Sequence, residues 1–283
     1  MAVIFHIAEK QAWEDARSVG LYRASTLGSS FVEVGFIHCS RREQVERVAN
    51  AAYRRAGPLV LLTIDPSLAG CEVKEEAAQG EVESFPHLYG PLPIGAVIEA
   101  EPLEPAPGGL FVPPVSWVSP KLEVARSPIQ GLGLFATEPI GSGEPVSVMG
   151  GQAMTDPEFA RHIAGLDRWS AAAIDEGLNV LQAEGDPLGR GNHSCEPSLW
   201  MADELTLVAR EPLVAGREAT VDYALMTVDD GWRMECRCGS AACRGVVSGA
   251  DWRRPELQVR YRGHFSPFIE RRIRSGAADP GGP

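Results

Sequence analysis

The spacing of apolar residues predicts a mixed helix and strand unit in the first hundred residues. Alternating or unbroken apolar runs predict four strands, at Val3–Ile7, Phe31–His38, Val60–Ile64 and Val97–Ala100. Two helices are predicted between them, Lys10–Val19, which Gly20 stops, and Arg41–Ala56, which Ser40 caps. The order of these elements indicates a small α+β domain with antiparallel pairing.

After residue 118 the apolar residues fall in short runs separated by Gly, Pro and Asp. Six strands are predicted there, at Leu122–Arg126, Gly133–Ala136, Pro145–Val148, Leu178–Gln182, Leu205–Ala209 and Ala219–Tyr223, with one helix over Asp156–Ala164. Many short strands joined by turns indicate a compact β-rich fold. The predicted fold class of the whole chain is therefore α+β and rich in strands.

Pro and Gly separate the two patterns, because they are too frequent between Pro102 and Pro114 for a regular element. The predicted organisation is a first domain (1–104), a linker (105–118) and a second domain (119–228). A cysteine-bearing loop (229–250), a helical extension (251–274) and a disordered tail (275–283) follow. Residues 251–283 carry 7 arginines against 4 acids. This surplus indicates either a solvated basic face or a contact with an acidic partner.

Charge and hydropathy exclude several classes of protein. The 283 residues carry 26 basic and 38 acidic groups, a net charge of −12, so a general nucleic-acid binder is excluded. No apolar run approaches the roughly 20 residues that span a bilayer, and the first ten residues lack the pattern of a secretory signal. We therefore expect a cytoplasmic protein without membrane contacts.

The cysteines indicate a metal site. The chain has six, at Cys39, Cys71, Cys195, Cys236, Cys238 and Cys243. Three of them lie within eight positions, and in a reducing compartment such a cluster favours zinc over disulfides. Cys195, in a turn-like segment, is the natural fourth ligand, and four thiolates leave no open position, so the predicted zinc is structural. The alternative is three incidental buried thiols, and the two cysteines of the first domain are predicted core residues.

Four motifs in the second domain occur in a specific order. They are Gly131-Leu132-Gly133-Leu134-Phe135-Ala136, then Gly189-Arg190-Gly191-Asn192-His193-Ser194-Cys195-Glu196-Pro197, then Glu218-Ala219-Thr220-Val221-Asp222-Tyr223, then the cysteine loop. In this order they resemble the SET domain followed by its post-SET zinc loop, over residues 119–246. The resemblance implies small curved β-sheets with a knot-like crossing.

The same resemblance implies a methyltransferase that uses S-adenosylmethionine and acts on a lysine ε-amine of a protein. It places the backbone of Gly131, Leu132, Gly133, Leu134 and Phe135 against the cofactor. It also implies that Asn192 and His193 hold the adenine and amino-acid ends of the cofactor, and that Tyr223 lies where the methyl group is passed.

Three residues depart from the family pattern: Met149, where an aromatic residue is usual, Ser198, where Asn is usual, and Val221, where Phe or Tyr is common. A small Val221 leaves room and predicts weak control over the number of methyl groups added. These departures keep open an alternative, a SET-like binding module without activity. The protein or peptide that bears the lysine stays unidentified.

The first domain resembles a small bacterial family known as domain of unknown function 952. The residues that carry this resemblance are Phe5-His6-Ile7, Gly35-Phe36-Ile37-His38-Cys39-Ser40, Asn50 and Phe85-Pro86-His87-Leu88-Tyr89-Gly90. Kinship with ADP-ribosyltransferase-like folds implies a histidine that binds NAD. NAD-using transfer is therefore a third candidate function. His6, His38 and His87 are the candidate ligand site, for a nucleotide or for a metal, unless each is a hydrogen-bonded core or turn histidine.

Overall fold

A computed structural model describes residues 2–77, 83–167 and 169–276. These residues form two compact units, divided between Phe111 and Val112. The division lies within the Pro- and Gly-rich segment 105–118. Of the tail predicted over 275–283, residues 277–283 lie outside the described residues.

The first unit is mixed in its described part. Its helices are α1 (Lys10–Val19), α2 (Phe31–Val34) and α3 (Val45–Ala52). Its strands are β1 (Ile4–Glu9), β2 (Leu21–Tyr22), β3 (Ala24–Thr26), β4 (Ser29–Ser30), β5 (Ile37–His38), β6 (Leu59–Ile64), β7 (Val73–Ala77), β8 (Ser84–Leu88), β9 (Leu92–Pro93) and β10 (Val97–Leu103). The two largest sheets run β1-β6-β10 and β5-β8-β7, with antiparallel neighbours.

Strand β6 is the centre of this unit, because it is buried at every position. Val60, Leu62 and Ile64 belong to one apolar cluster, which also includes Trp13 of α1. Leu59 and Leu61 belong to a second cluster with residues of α3. The unbroken apolar run is therefore explained by a helix packed on each face of the strand.

The predicted strand Phe31–His38 is wrong in its first half. Ser30 and Glu33 form a capping box that starts the short helix α2. Gly35, at φ 92°, ends it in the left-handed conformation, and only Ile37–His38 is extended.

The predicted helix Arg41–Ala56 is also shorter than expected. The regular helix α3 covers Val45–Ala52, preceded by a 3₁₀ turn over Arg42–Gln44. Ser40 does not cap it: Arg41 occupies the cap position of the 3₁₀ turn, and Ser40 pairs through its backbone with Phe5 of β1. Pairing with β1 competes with the local capping that the sequence suggested.

The second unit is rich in short strands in its described part. The strands are β11 (Trp117–Val118), β12 (Leu122–Arg126), β13 (Leu132–Ala136), β14 (Pro145–Val148), β15 (Gln152–Thr155), β16 (Ala171–Asp175), β17 (Leu178–Leu181), β18 (Leu199–Met201), β19 (Thr206–Ala209), β20 (Glu218–Ala219), β21 (Arg233–Glu235) and β22 (Val246–Ser248). The helices are α4 (Asp156–Ile163), α5 (Pro255–Arg260) and α6 (Pro267–Arg274). The sheets run β11-β14-β19-β18, β12-β13-β20, β15-β17-β16 and β21-β22, which confirms a mixed, strand-rich fold.

The predicted strand Ala219–Tyr223 is wrong beyond Ala219. Val221 forms single parallel bridges with His193 and Leu199, so it lies between two other segments of the chain. Tyr223 then starts a 3₁₀ turn that ends at Leu225. Within the described residues, none of the helices has the length and apolar character needed to cross a membrane.

Candidate active site

A cavity of about 760 Å³ lies in the second unit. Leu134 of β13, Phe159 of α4, Gly191, Tyr223 and Trp232 are among the residues that line it. A volume of this size suits a cofactor or a drug-sized ligand. The cavity therefore brings together residues from three of the four predicted motifs.

Tyr223 is fixed at this cavity by its turn. Asp222 caps the turn, since its carboxylate accepts from the backbone N–H of Ala224. The Tyr223 hydroxyl donates to the carbonyl of Gly191 at 2.8 Å, and its backbone N–H donates to His193 Nδ1 at 3.2 Å. Burial raises the pKa of Tyr223 to about 12, so the hydroxyl stays neutral at physiological pH.

Asn192 and His193 use their side chains within the protein. The Asn192 amide donates to the carbonyl of Leu132 at 2.9 Å and to Glu218 Oε1 at 2.8 Å. His193 is 3% exposed, and its Nε2 lies 3.3 Å from Cys195 Sγ. Burial lowers the pKa of His193 to about 4. Among the described residues that line the cavity, neither Asn192 nor His193 is found.

Glycine is required at position 133 by the same contacts. A Cβ atom on Gly133 would collide with the carboxylate of Glu218. That carboxylate is fixed at its other oxygen by the hydroxyl of Ser127, at 2.9 Å. Gly131 is at φ 52°, a left-handed conformation that favours glycine. The two glycines thus have separate structural reasons, a close approach and a turn.

The three departures from the family pattern lie in or beside the site. Met149 and Val221 line the cavity and are 2% and 6% exposed. Ser198 is buried, and its hydroxyl accepts from the N–H of Thr220 at 2.9 Å and donates to the carbonyl of Glu218 at 3.2 Å. A serine at this position thus ties the Asn192 segment to the strand that precedes Tyr223.

The cavity carries polar groups that sequence reasoning missed. The acidic residues Asp156, Asp167 and Asp229 are among those that line it. The cation Arg272 also lines it and is paired with Glu176, its Nε 2.9 Å from Oε2. Gln182 also lines it, is 8% exposed, and its Oε1 accepts no hydrogen bond from the described residues. Such an acceptor is suited to an N–H donor of a ligand. These residues are scattered in sequence, so no local motif marks them.

The four predicted zinc ligands converge. The sulfur atoms of Cys195, Cys236, Cys238 and Cys243 all lie within 4.8 Å of one another. The Cys195 and Cys236 sulfurs are 3.8 Å apart, and a tetrahedral zinc with bonds of about 2.3 Å requires sulfurs about 3.8 Å apart. The donor set therefore fits zinc. Cys39 belongs to the core of the first unit, and Cys71 packs against it.

The three histidines of the first unit have different environments. His6 is 2% exposed, and its ring nitrogens contact the carbonyl of His38 at 2.7 Å and the hydroxyl of Tyr22 at 2.9 Å. His38 and His87 meet edge to face, with ring centroids 5.2 Å apart. His87 Nδ1 lies 2.9 Å from a carboxylate oxygen of Glu76. The structure thus brings the rings of His38 and His87 together, whereas His6 is buried.

Comparison with known proteins places the first unit beside an uncharacterised family. Residues 7–100 match the family model described as protein of unknown function, DUF952. A solved structure, protein CC0527 from Caulobacter crescentus, is 31% identical and covers 39% of this chain and 93% of that chain, with a TM-score of 0.35. The match confirms the resemblance inferred from the sequence, and because the description names no ligand it does not support NAD binding.

A second set of relatives consists of histone-lysine N-methyltransferases. The enzyme ash1 of Drosophila melanogaster is 28% identical over 151 residues, which are 48% of this chain and 7% of that protein. The methyltransferase domain of human SETMAR is 22% identical, covers 45% of this chain and 58% of that chain, and gives a TM-score of 0.38. The curated relatives, ash1 among them, confirm the resemblance to SET-domain lysine methyltransferases. The chain spans between 2% and 14% of the length of the curated relatives compared.

Proposed function

We propose that the second unit is an S-adenosylmethionine-dependent methyltransferase whose acceptor is a lysine ε-amine of a protein. The position of Tyr223 carries this proposal. Its neutral hydroxyl lies at the cavity, fixed by the carbonyl of Gly191. The histone-lysine N-methyltransferases among the relatives support the same reaction class.

The lining of the cavity suits a cationic substrate. Asp156, Asp167 and Asp229 are among the lining residues, and their negative charge would attract a lysine ammonium, whose ordinary pKa is about 10.4. The ammonium must release a proton to solvent before its nitrogen can attack the methyl carbon, and the apolar walls around Met149 and Val221 favour the neutral amine by desolvation. The oxygen of Tyr223 can then accept an N–H of the amine and orient its lone pair.

The cofactor would lie against Leu134 and Gly191, which line the same cavity. When bound, it supplies the methyl group and the sulfonium charge. Because the side chains of Asn192 and His193 are engaged within the protein, we assign them to shaping this wall. Gln182 Oε1 is the candidate acceptor for an amine or amide N–H of the bound ligands.

Zinc would be held by the four thiolates and would have a structural role. Four protein ligands complete a tetrahedral coordination sphere, so no position is left for water or substrate. Cys195 follows the His193 segment, and the other three ligands belong to the loop 236–243. The ion would therefore tie the loop to the segment that contacts Tyr223.

The test measures transfer of a tritium-labelled methyl group from S-adenosylmethionine. The acceptors are purified core histones and, separately, a synthetic library of lysine-centred peptides. We expect label on lysine with the wild-type chain and a loss of more than about a hundredfold in kcat for Tyr223→Phe, because the orienting hydroxyl is gone. Cofactor affinity, from isothermal titration, should change little.

The matched control is Tyr53→Phe, which removes a buried hydroxyl that pairs with Thr26 in the first unit. It should leave turnover unchanged. Self-labelling is separated by peptide mapping, since the chain has only Lys10, Lys74 and Lys121. Cofactor binding without transfer to either acceptor would favour the inactive binding module, and unchanged turnover in Tyr223→Phe would overturn the role of this residue.

A further inference from the structure

The C-terminal segment 251–274 contacts the turn that carries Tyr223, and no motif accounts for this contact. We propose that Tyr261, at the end of α5, is a positioning residue for methyl transfer and acts through the carboxylate of Asp222. The proposal rests on the proposed function of the second unit. It assigns a role in the site to a segment whose sequence indicated only a basic, partly helical extension.

The carboxylate of Asp222 is completely buried and surrounded by donors. Arg244 donates twice, from Nη1 to Oδ2 at 2.6 Å and from Nη2 to Oδ1 at 2.7 Å. The hydroxyl of Tyr261 donates to Oδ2 at 3.0 Å, and the N–H of Ala224 donates to Oδ1 at 3.0 Å. A buried carboxylate is stable only when such partners are present, so these donors fix its position.

The position of Asp222 is passed on to the proposed site through the chain. Asp222 caps the turn Tyr223–Leu225 and directly precedes the tyrosine. The backbone N–H of Tyr223 donates to His193 Nδ1, and the same nitrogen lies 3.7 Å from Asp222 Oδ1. A shift of the carboxylate would therefore move the turn, and with it Tyr223, which lines the cavity.

The C-terminal segment contacts this turn at one further point and also contacts the residues around it. Ser266 N–H donates to the carbonyl of Leu225 at 2.9 Å. Arg260, beside Tyr261, donates to the carbonyl of Cys195 at 2.9 Å. Asp251 Oδ2 lies 2.9 Å from Arg244 Nε in an ion pair. Arg272 of α6 lines the cavity itself. The segment is thus in contact with the turn, the cysteine cluster and the cavity.

Tyr261 offers a direct test because its ring packs against Phe265, whereas its hydroxyl donates to Asp222. The ring is fully buried and packs edge to face against Phe265, with centroids 5.9 Å apart. Tyr261→Phe keeps this packing and removes the hydroxyl that donates to Asp222 and also interacts with the Arg260 side chain. We expect kcat with the lysine-centred peptide library to fall about ten- to a hundredfold, while KM for the cofactor changes less than about threefold.

A double-mutant cycle separates positioning from a merely structural role. Arg244→Lys keeps the charge but cannot reproduce the paired donation to Asp222. If both residues act through this carboxylate, the double variant loses less kcat than the product of the two single losses. Tyr53→Phe, combined with Arg244→Lys, is the matched control and should give multiplicative effects.

Zinc content and thermal unfolding are measured on every variant in the full chain. The proposal predicts that Tyr261→Phe keeps its bound zinc and loses turnover. Unchanged kcat in Tyr261→Phe, or a loss of kcat that parallels a loss of zinc, would overturn the positioning role. A wild-type chain that transfers no methyl group would instead overturn the proposed function on which it rests.

Discussion

His6 and His193 are histidines enclosed by the fold, and in each the ring nitrogens have protein partners. His6 lies between the carbonyl of His38 and the hydroxyl of Tyr22. His193 lies between the N–H of Tyr223 and the sulfur of Cys195. Both rings are therefore fitted to the neutral form. A motif places such a residue near a site, but its partners decide whether it contacts a ligand.

The first unit should lose stability in acid because of His6. Burial lowers the pKa of His6 from 6.5 to about 4, so between these values the unfolded chain binds the proton and the folded chain does not. The free energy of unfolding of the first unit is therefore unaffected by this group above pH 6.5. It falls by about 3 kcal/mol as the pH is lowered towards 4. Hydrogen exchange of the β6 amides in the full chain, converted to opening free energies, measures this loss.

His6→Gln should remove most of that pH dependence. Tyr22→Phe is the matched control, because it takes away one hydrogen-bond partner of the ring but keeps the titrating group. It should be less stable at every pH and retain the slope. Equal slopes in the wild type and in His6→Gln would show that another group is responsible.

At the scale of elements, several short segments are set by partners rather than by their own pattern. Val221 carries a strand-like sequence but forms only single bridges, because it lies between His193 and Leu199. Ser40 has the chemistry of a helix cap but pairs with Phe5 instead. By contrast α1 spans its predicted residues, since its apolar spacing and the Gly20 cap are both local.

Zinc should stabilise the cysteine loop together with the Cys195 segment. Cys236→Ser removes one of four ligands, so we expect loss of the bound ion and a fall of about 3 kcal/mol or more in the unfolding free energy of the second unit. Metal analysis and thermal unfolding measure both effects. Cys71→Ser, a change in the first unit, is the control and should keep the metal. Retention of full zinc by Cys236→Ser would contradict the four-thiolate assignment.

At the scale of the whole molecule, the end of the first unit lies later than composition suggests. The Pro- and Gly-rich segment looked like a linker from residue 105, yet Leu110 and Phe111 are 1% and 2% exposed. Asn50 donates to the carbonyl of Phe111 at 2.9 Å and accepts from its N–H at 2.8 Å. Leu110 and Phe111, which follow Gly108 and Gly109, are therefore buried parts of the first unit.

A fragment that ends at 111 should be more stable than one that ends at 104. The shorter fragment lacks Phe111 and leaves the side chain of Asn50 without these two partners, which should lower its unfolding free energy by about 3–5 kcal/mol. Urea unfolding of the two fragments measures the difference. Equal stability would place the boundary at 104, as composition alone predicts.

The sequence alone determined what depends on neighbours along the chain. It predicted the strand-rich fold class, α1 and β6, because apolar spacing and caps act over a few residues. It also identified the four cysteines whose sulfur atoms converge in the structure and could hold a metal ion. Glycine at 131 follows from a local turn in the same way.

Only the tertiary structure decided how those residues are used. Asn192 contacts Leu132 across 60 positions of the chain, and Tyr261 reaches Asp222 across 39. Burial and hydrogen bonding between such distant residues depend on the completed fold, and no local pattern encodes them. For this reason three features became visible only in three dimensions: the acidic residues of the cavity, the partners of Asp222, and the Oε1 of Gln182, which has no hydrogen-bond partner among the described residues.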